Sequence, residues 1–283
     1  MPIMECPKCR FTVPPHARYC PVDQTDVGFP NVRAAETPEE VTALDDRCTR
    51  AGQDAQTRGC LAKLEDFGRA VLGSKVAICR TLSTLQYLVS SDSALYNTFH
   101  QQVAAEARIP EENFWDRARA AVNATLFPHY QDEIGFGMLS LNDHGLTTFG
   151  PYVILLREAL IASRSTVFER NSVVFFQEMK DTKVGDAVPP GYRAIWMRRD
   201  KLAMAKHYGG IGPATAPGEY PSILMKPGPT PQHDDFIEVH IYGPIHRRAI
   251  EKVVGPPPRR GQGAIYRDLK RKLQECGASL ETL

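Results

Sequence analysis

Cys6-Pro-Lys-Cys9 and Cys20-Pro-Val-Asp23 place candidate metal ligands in one short stretch near the start of the chain. Each Cys-Pro turn offers two ligand atoms from one side, which suits a four-coordinate Zn²⁺. A bound ion would hold together a segment far too short to build an apolar core of its own. Cys6, Cys9 and Cys20 supply three thiolates. The fourth ligand is either Asp23, standing where a second Cys-x-x-Cys pair would end, or His16, whose imidazole is a common zinc ligand.

A second set of reactive side chains lies in Phe236-Ile237-Glu238-Val239-His240-Ile241-Tyr242-Gly243. On a strand alternate residues share a face, so Glu238, His240 and Tyr242 point one way while Ile237, Val239 and Ile241 point to the core. A carboxylate, an imidazole and a phenol in a row can position and polarise a substrate. The same pattern also describes a half-exposed antiparallel strand whose polar face meets water. Other signals are weaker. His144, in the turn Asn142-Asp143-His144-Gly145, reads first as a structural turn histidine. The stretch from His246 to Lys272 is rich in arginine and lysine, which solvated helix faces explain and a nucleic-acid target would also suit. Gly209-Gly210-Ile211-Gly212 is not framed by a strand and a helix, so it is no dinucleotide fingerprint.

The elements that must position these groups fall into two parts. Thr37-Pro38-Glu39-Glu40 reads as a helix start, with a hydroxyl N-cap, proline in the first turn and an acid three residues on. Residues 37–130 then read as a helical region. Leu61, Leu64, Phe67 and Val71 recur at helical spacing, as do Ile78, Leu82, Leu85 and Leu88; further helices open at Ser93 and Ile109. After Phe127-Pro128 the runs become short and rich in β-branched residues: 138–141, 152–156, 165–168, 172–176, 222–225 and 236–242. Helices are expected over 199–207, 245–254 and 265–276. The class is α+β: a zinc-binding segment over 1–30, the helical region over 37–130, and a β-rich domain over 131–283.

Composition narrows the function classes. With 34 basic and 33 acidic side chains the net charge is near zero, which gives no global attraction to nucleic acid or an anionic membrane. No apolar run is long enough to cross a bilayer, and Cys6 and Cys9 stand where a signal peptide would be greasy. Three of the seven cysteines serve the metal, and the rest read as reduced thiols. The expected setting is cytoplasmic, or a target cell reached without a leader peptide.

Residues 4–27 resemble the small zinc ribbon of pattern CPxC…CPxD found at the ends of many bacterial proteins. Downstream, Leu146–Arg157, Ser163-Arg164-Ser165-Thr166-Val167-Phe168-Glu169-Arg170-Asn171-Ser172, Pro190–Trp196 and the Glu238-Val239-His240-Ile241-Tyr242-Gly243 strand follow one another. In that order they resemble uncharacterised bacterial members of the ADP-ribosyltransferase-like superfamily of arginine–serine–glutamate type. The resemblance implies a split antiparallel β-sandwich that holds NAD⁺ as substrate between two small sheets. It implies that Glu238 bonds a ribose hydroxyl and steadies the oxocarbenium-like transition state. Ser172 would order the strand behind the nicotinamide ribose, and Arg164 or Arg157 would grip the pyrophosphate, with Tyr242 beside them. Phe236 replaces the second acidic or amide residue common in that superfamily, which leaves His240 as the group to position the acceptor. The implied acceptor is a macromolecule, protein or nucleic acid, or water; toxins and defence enzymes often carry such domains. The alternative is a non-catalytic module in which a decayed site leaves ribbon and basic tail to bind nucleic acid or a partner protein.

Overall fold

A computed structural model describes residues 4–96, 114–179 and 182–282. The N-terminal segment is a two-stranded hairpin, β1 (Met4–Glu5) and β2 (Thr12–Val13), whose tiny core is Cys6, Val13 and Cys20. Helices α1 (Pro30–Ala35), α2 (Pro38–Thr57) and α3 (Leu61–Leu72) follow. Thr37 caps α2 as its sequence predicts, accepting a hydrogen bond from the Glu40 amide. The Glu40 carboxylate does not turn back to the cap. It is buried and reaches Gly191 N at 2.7 Å and Arg193 Nε at 2.5 Å, fastening α2 to a distant strand.

The next segment departs from the helical expectation. Lys75–Arg80 is a strand, β3, followed by α4 (Leu82–Leu88) and β4 (Leu95–Tyr96). Val76-Ala77-Ile78-Cys79 is a short, wholly buried apolar run, a pattern that periodicity cannot assign between helix and strand. Of the helices expected from Ser93 and Ile109, residues 97–113 lie outside the described residues, and α5 runs over Phe114–Leu126.

Downstream come β5 (Ile134–Ser140), β6 (Tyr152–Leu156), β7 (Ser165–Phe168), α6 (Ser172–Glu178), β8 (Arg193–Ile195), α7 (Arg199–His207) and α8 (Tyr220–Leu224). The chain then forms β9 (Glu238–Tyr242), β10 (Ile245–His246), β11 (Ile250–Gly255), α9 (Gly263–Glu275) and β12 (Ser279–Thr282). Three segments differ from their sequence reading. Residues 172–176, expected as a strand, form α6 because Asn171 caps them, its side chain accepting from Val173 N at 3.0 Å. Residues 222–225 fall largely in α8, where Pro221 occupies the first turn. Residues 250–254 are the strand β11 rather than a helix, since they add an antiparallel neighbour to β6.

Among the described residues the large sheet has eight strands in the order β12-β11-β6-β3-β5-β9-β7-β8, and only β11 and β12 are parallel, joined through α9. The expected division into two small sheets is therefore corrected. β3 pairs with β5 on one side and β6 on the other, which stitches both halves into one ladder. The architecture is mixed α+β, and β9 is an interior strand between β5 and β7.

The alternation along β9 is as expected. Val239 and Ile241 join a core that extends from Leu44 to Leu280 and is covered by α2, α3 and α7. Glu238, His240 and Tyr242 face the opposite layer. There α5, α6 and the segment after α5 bury Val122, Phe127, Tyr130, Val173 and Phe175 against Phe168 and Ile134. No helix of the described residues is long and apolar enough to cross a membrane.

Candidate functional site

Glu238 sits on β9 opposite Met138 and Phe168. Its carboxylate is buried, with 3% of the side chain exposed, yet each oxygen is bonded. Oε1 accepts from Arg119 Nη1 at 3.2 Å. Oε2 accepts from the Ser172 backbone amide, and lies 3.0 Å from His240 Nε2 as well. A carboxylate only accepts, so Nε2 carries the proton in that bond. Arg119 ties the group together: Nη1 also donates to Ser172 Oγ at 2.8 Å, and Nη2 to Asn171 Oδ1 at 3.2 Å. Its guanidinium carbon lies 4.9 Å from the Phe136 ring centre.

The local sequence explains each placement. Asn171-Ser172 opens α6, so one residue supplies the cap and the next directs its free amide at Glu238. His240 is two residues along β9 on the same face. Phe127, Phe136 and Phe168 surround the imidazole at centroid distances of 4.9, 5.3 and 5.6 Å. Burial on its own would raise the Glu238 carboxyl, but the Arg119 charge and the bonds from His240 and Ser172 outweigh it and hold it down at about 2. The result is a carboxylate held ionised at neutral pH, with an imidazole, a hydroxyl and a guanidinium fixed around it. Such a set can stabilise developing positive charge or orient a hydroxyl-bearing ligand.

Of the residues singled out from sequence, Glu238, His240 and Ser172 meet here. Neither Arg164 nor Arg157 does. Arg157 donates to Arg248 O at 3.2 Å and Gly277 O at 2.5 Å, clipping the end of β6 to the segments around it. Arg164 donates through Nη1 to Tyr242 O, so these two residues meet at the far end of β9. His144 bonds the carbonyl of Asn142 within its own turn. The arginine that sequence reading missed is Arg119. It falls at helical spacing with Val122 and Leu126, so it is a charge on an apolar face, and that is the signal that marks it.

The candidate metal ligands converge as their spacing predicts. One donor atom each from Cys6, Cys9, Cys20 and Asp23 lies within 4.8 Å of all the others. Cys9 Sγ and Cys20 Sγ are 3.5 Å apart, and Cys6 Sγ is 3.6 Å from Asp23 Oδ1. A tetrahedral ion with Zn–S bonds of about 2.3 Å needs donors separated by roughly 3.7 Å, so the set fits a structural zinc. His16 stands outside it, with its ring 4.9 Å from that of His129. All seven cysteines are free of disulfides. No protein-family model matches the chain, and no curated protein matches it either.

Proposed function

We propose that this chain cleaves the nicotinamide–ribose bond of NAD⁺ and passes ADP-ribose to a macromolecular acceptor or to water. The observation that carries the reading is the gathering of Glu238, His240, Ser172 and Arg119, from three separate segments, on one face of β9. In this reading the C1′–N bond breaks with its electron pair leaving on nicotinamide. A new bond forms from C1′ to an acceptor oxygen or nitrogen, whose proton passes to solvent. Glu238, held ionised, stabilises the oxocarbenium-like state. His240 fixes the carboxylate from its own strand. Arg119 is the one guanidinium of the group and suits a pyrophosphate, which it can pair bidentately. Because Arg119 bonds Glu238 directly, binding requires it to exchange carboxylate for phosphate, which frees Oε1 for a ribose hydroxyl.

A second reading rests on the burial of that same carboxylate. A group whose oxygens are both satisfied and 3% exposed also suits a structural clamp between α5, α6 and β9. The chain would then act as a binding module through its ribbon and basic tail. Incubation with NAD⁺ labelled in the nicotinamide separates the two. Release by the parent and its loss in Glu238→Gln support the transferase; equal release by both, or none by the parent, leaves the binding module.

A further inference from the structure

The far end of β9 carries a different kind of site. An open cleft of about 620 Å³ lies there, lined by Arg18, Tyr19 and Phe29 from the ribbon and its linker and by Glu133, Arg164 and Tyr242 from the rest of the chain. That volume is in the range of small-ligand pockets. Its walls are cationic and aromatic. Arg164 is half-buried, and its guanidinium is held by carbonyls alone: Nη1 on Tyr242 O and Nε on Leu160 O at 3.1 Å. Among the described residues it has no carboxylate partner. Burial and the nearby Arg18 charge both act against its positive charge.

Arg18 brings the second cation. Its Nη2 bonds Asp26 at 3.1 Å, while its buried Nε has no partner. The guanidinium carbon lies 4.2 Å from the Phe29 ring centre and 5.0 Å from that of Tyr19. Phe29 in turn leans on Tyr242, with centroids 5.6 Å apart. Two cations sharing one cleft, one of them without an anion, call for a phosphate. The aromatic walls call for a flat ring, since stacking on Tyr, Phe or a guanidinium is how proteins hold bases without reading them. Glu133, exposed at the rim, repels a bare anion but accepts from sugar hydroxyls or a base amine.

We propose that this cleft binds a nucleoside phosphate, with the phosphate between Arg164 and Arg18 and the base against the aromatic wall formed by Tyr19, Phe29 and Tyr242. The site does not involve Glu238 and stands whether or not NAD⁺ is turned over. It makes the ribbon part of a binding surface, because Arg18 and Tyr19 lie directly before Cys20.

Calorimetric titration of the full, metal-loaded chain with AMP tests it. Saturable binding is expected, weakened about tenfold in Arg164→Met, the equivalent of one charge-assisted hydrogen bond. Tyr19→Ala should weaken it as well; Tyr19 is 45% exposed, so its loss spares the fold if Arg164→Met does not. Glu238→Gln should bind AMP as the parent does. Inorganic phosphate should bind more weakly than AMP. A short oligoadenylate separates the two sources of this chemistry: tighter binding per nucleotide assigns the cleft to a nucleic-acid strand, equal or weaker binding to a free nucleotide. The proposal is overturned if AMP fails to bind at about 1 mM, if both variants bind it like the parent, or if phosphate alone binds as well.

Discussion

The two ends of β9 are built from the same strand face and each holds an arginine, yet they resolve its charge in opposite ways. At the Glu238 end, Arg119 faces a buried carboxylate, a hydroxyl and a side-chain amide oxygen. At the Tyr242 end, Arg164 donates, among the described residues, to backbone carbonyls and lines the open cleft. A guanidinium that meets a carboxylate is neutralised inside the protein. One that meets dipoles alone keeps its charge for something outside. The difference between the two ends is thus set by what each arginine meets and not by the strand.

Removing the metal should sharpen that contrast most. Structural zinc sites in small domains are worth on the order of 10 kcal/mol, and the ribbon forms one wall of the Tyr242 end only. Chelation, or Cys20→Ser, should abolish amide-exchange protection across residues 4–27 and weaken nucleotide binding, while Glu238 and Val239 remain protected. Loss of protection along the whole of β9 would break the comparison. Next in size is Glu238→Gln, which keeps shape and removes charge; on the proposed transferase reading it should cut NAD⁺ turnover by about 10²-fold or more. Arg119→Ala should then cost about 3 kcal/mol in denaturant unfolding, because it strands a buried carboxylate. Arg164→Ala should cost under about 1 kcal/mol, since the neutral acceptors it leaves are near the cleft surface.

Acid should also distinguish the ends. Glu238 titrates lower in the folded chain, at about 2, than the 4.5 of an unperturbed glutamate. The stability it contributes is therefore fully present above about 4.5 and is lost as pH falls toward 2. Unfolding followed against pH should show that decline in the parent and a shallower one in Glu238→Gln. An equal slope in both would show that the Arg119 network adds nothing to the folded state.

What the sequence disclosed depended on how far apart the partners are in it. The candidate ligands Cys6, Cys9, Cys20 and Asp23 are local, and two turns suffice to bring them together. The face of β9 was legible because alternation is a property of one strand. Arg119 lies 119 positions from the carboxylate it bonds, and no local pattern announces such a pairing. Arg164 and Arg157 stood nearer to the motif and were the wrong guanidiniums for Glu238. Two of the misread elements share a cause. Val76–Cys79 and Val173–Phe176 are unbroken buried apolar runs, in which neither a period of 2 nor one of 3.6 can show. Their state is decided by neighbours: β5 and β6 for the first, the Asn171 cap for the second.

The place of β3 in the sheet has a consequence for how the chain can be made. Lys75–Arg80 leaves the ribosome before either strand that flanks it, since β5 ends at Ser140 and β6 at Leu156. Until those arrive, the nascent chain carries an apolar segment with two unsatisfied edges, the sort of template that recruits other strands. A fragment stopped near residue 130 keeps that exposure permanently. Such a stub should precipitate or be captured by chaperones, and the earliest length at which synthesis can yield a soluble product lies beyond Leu156.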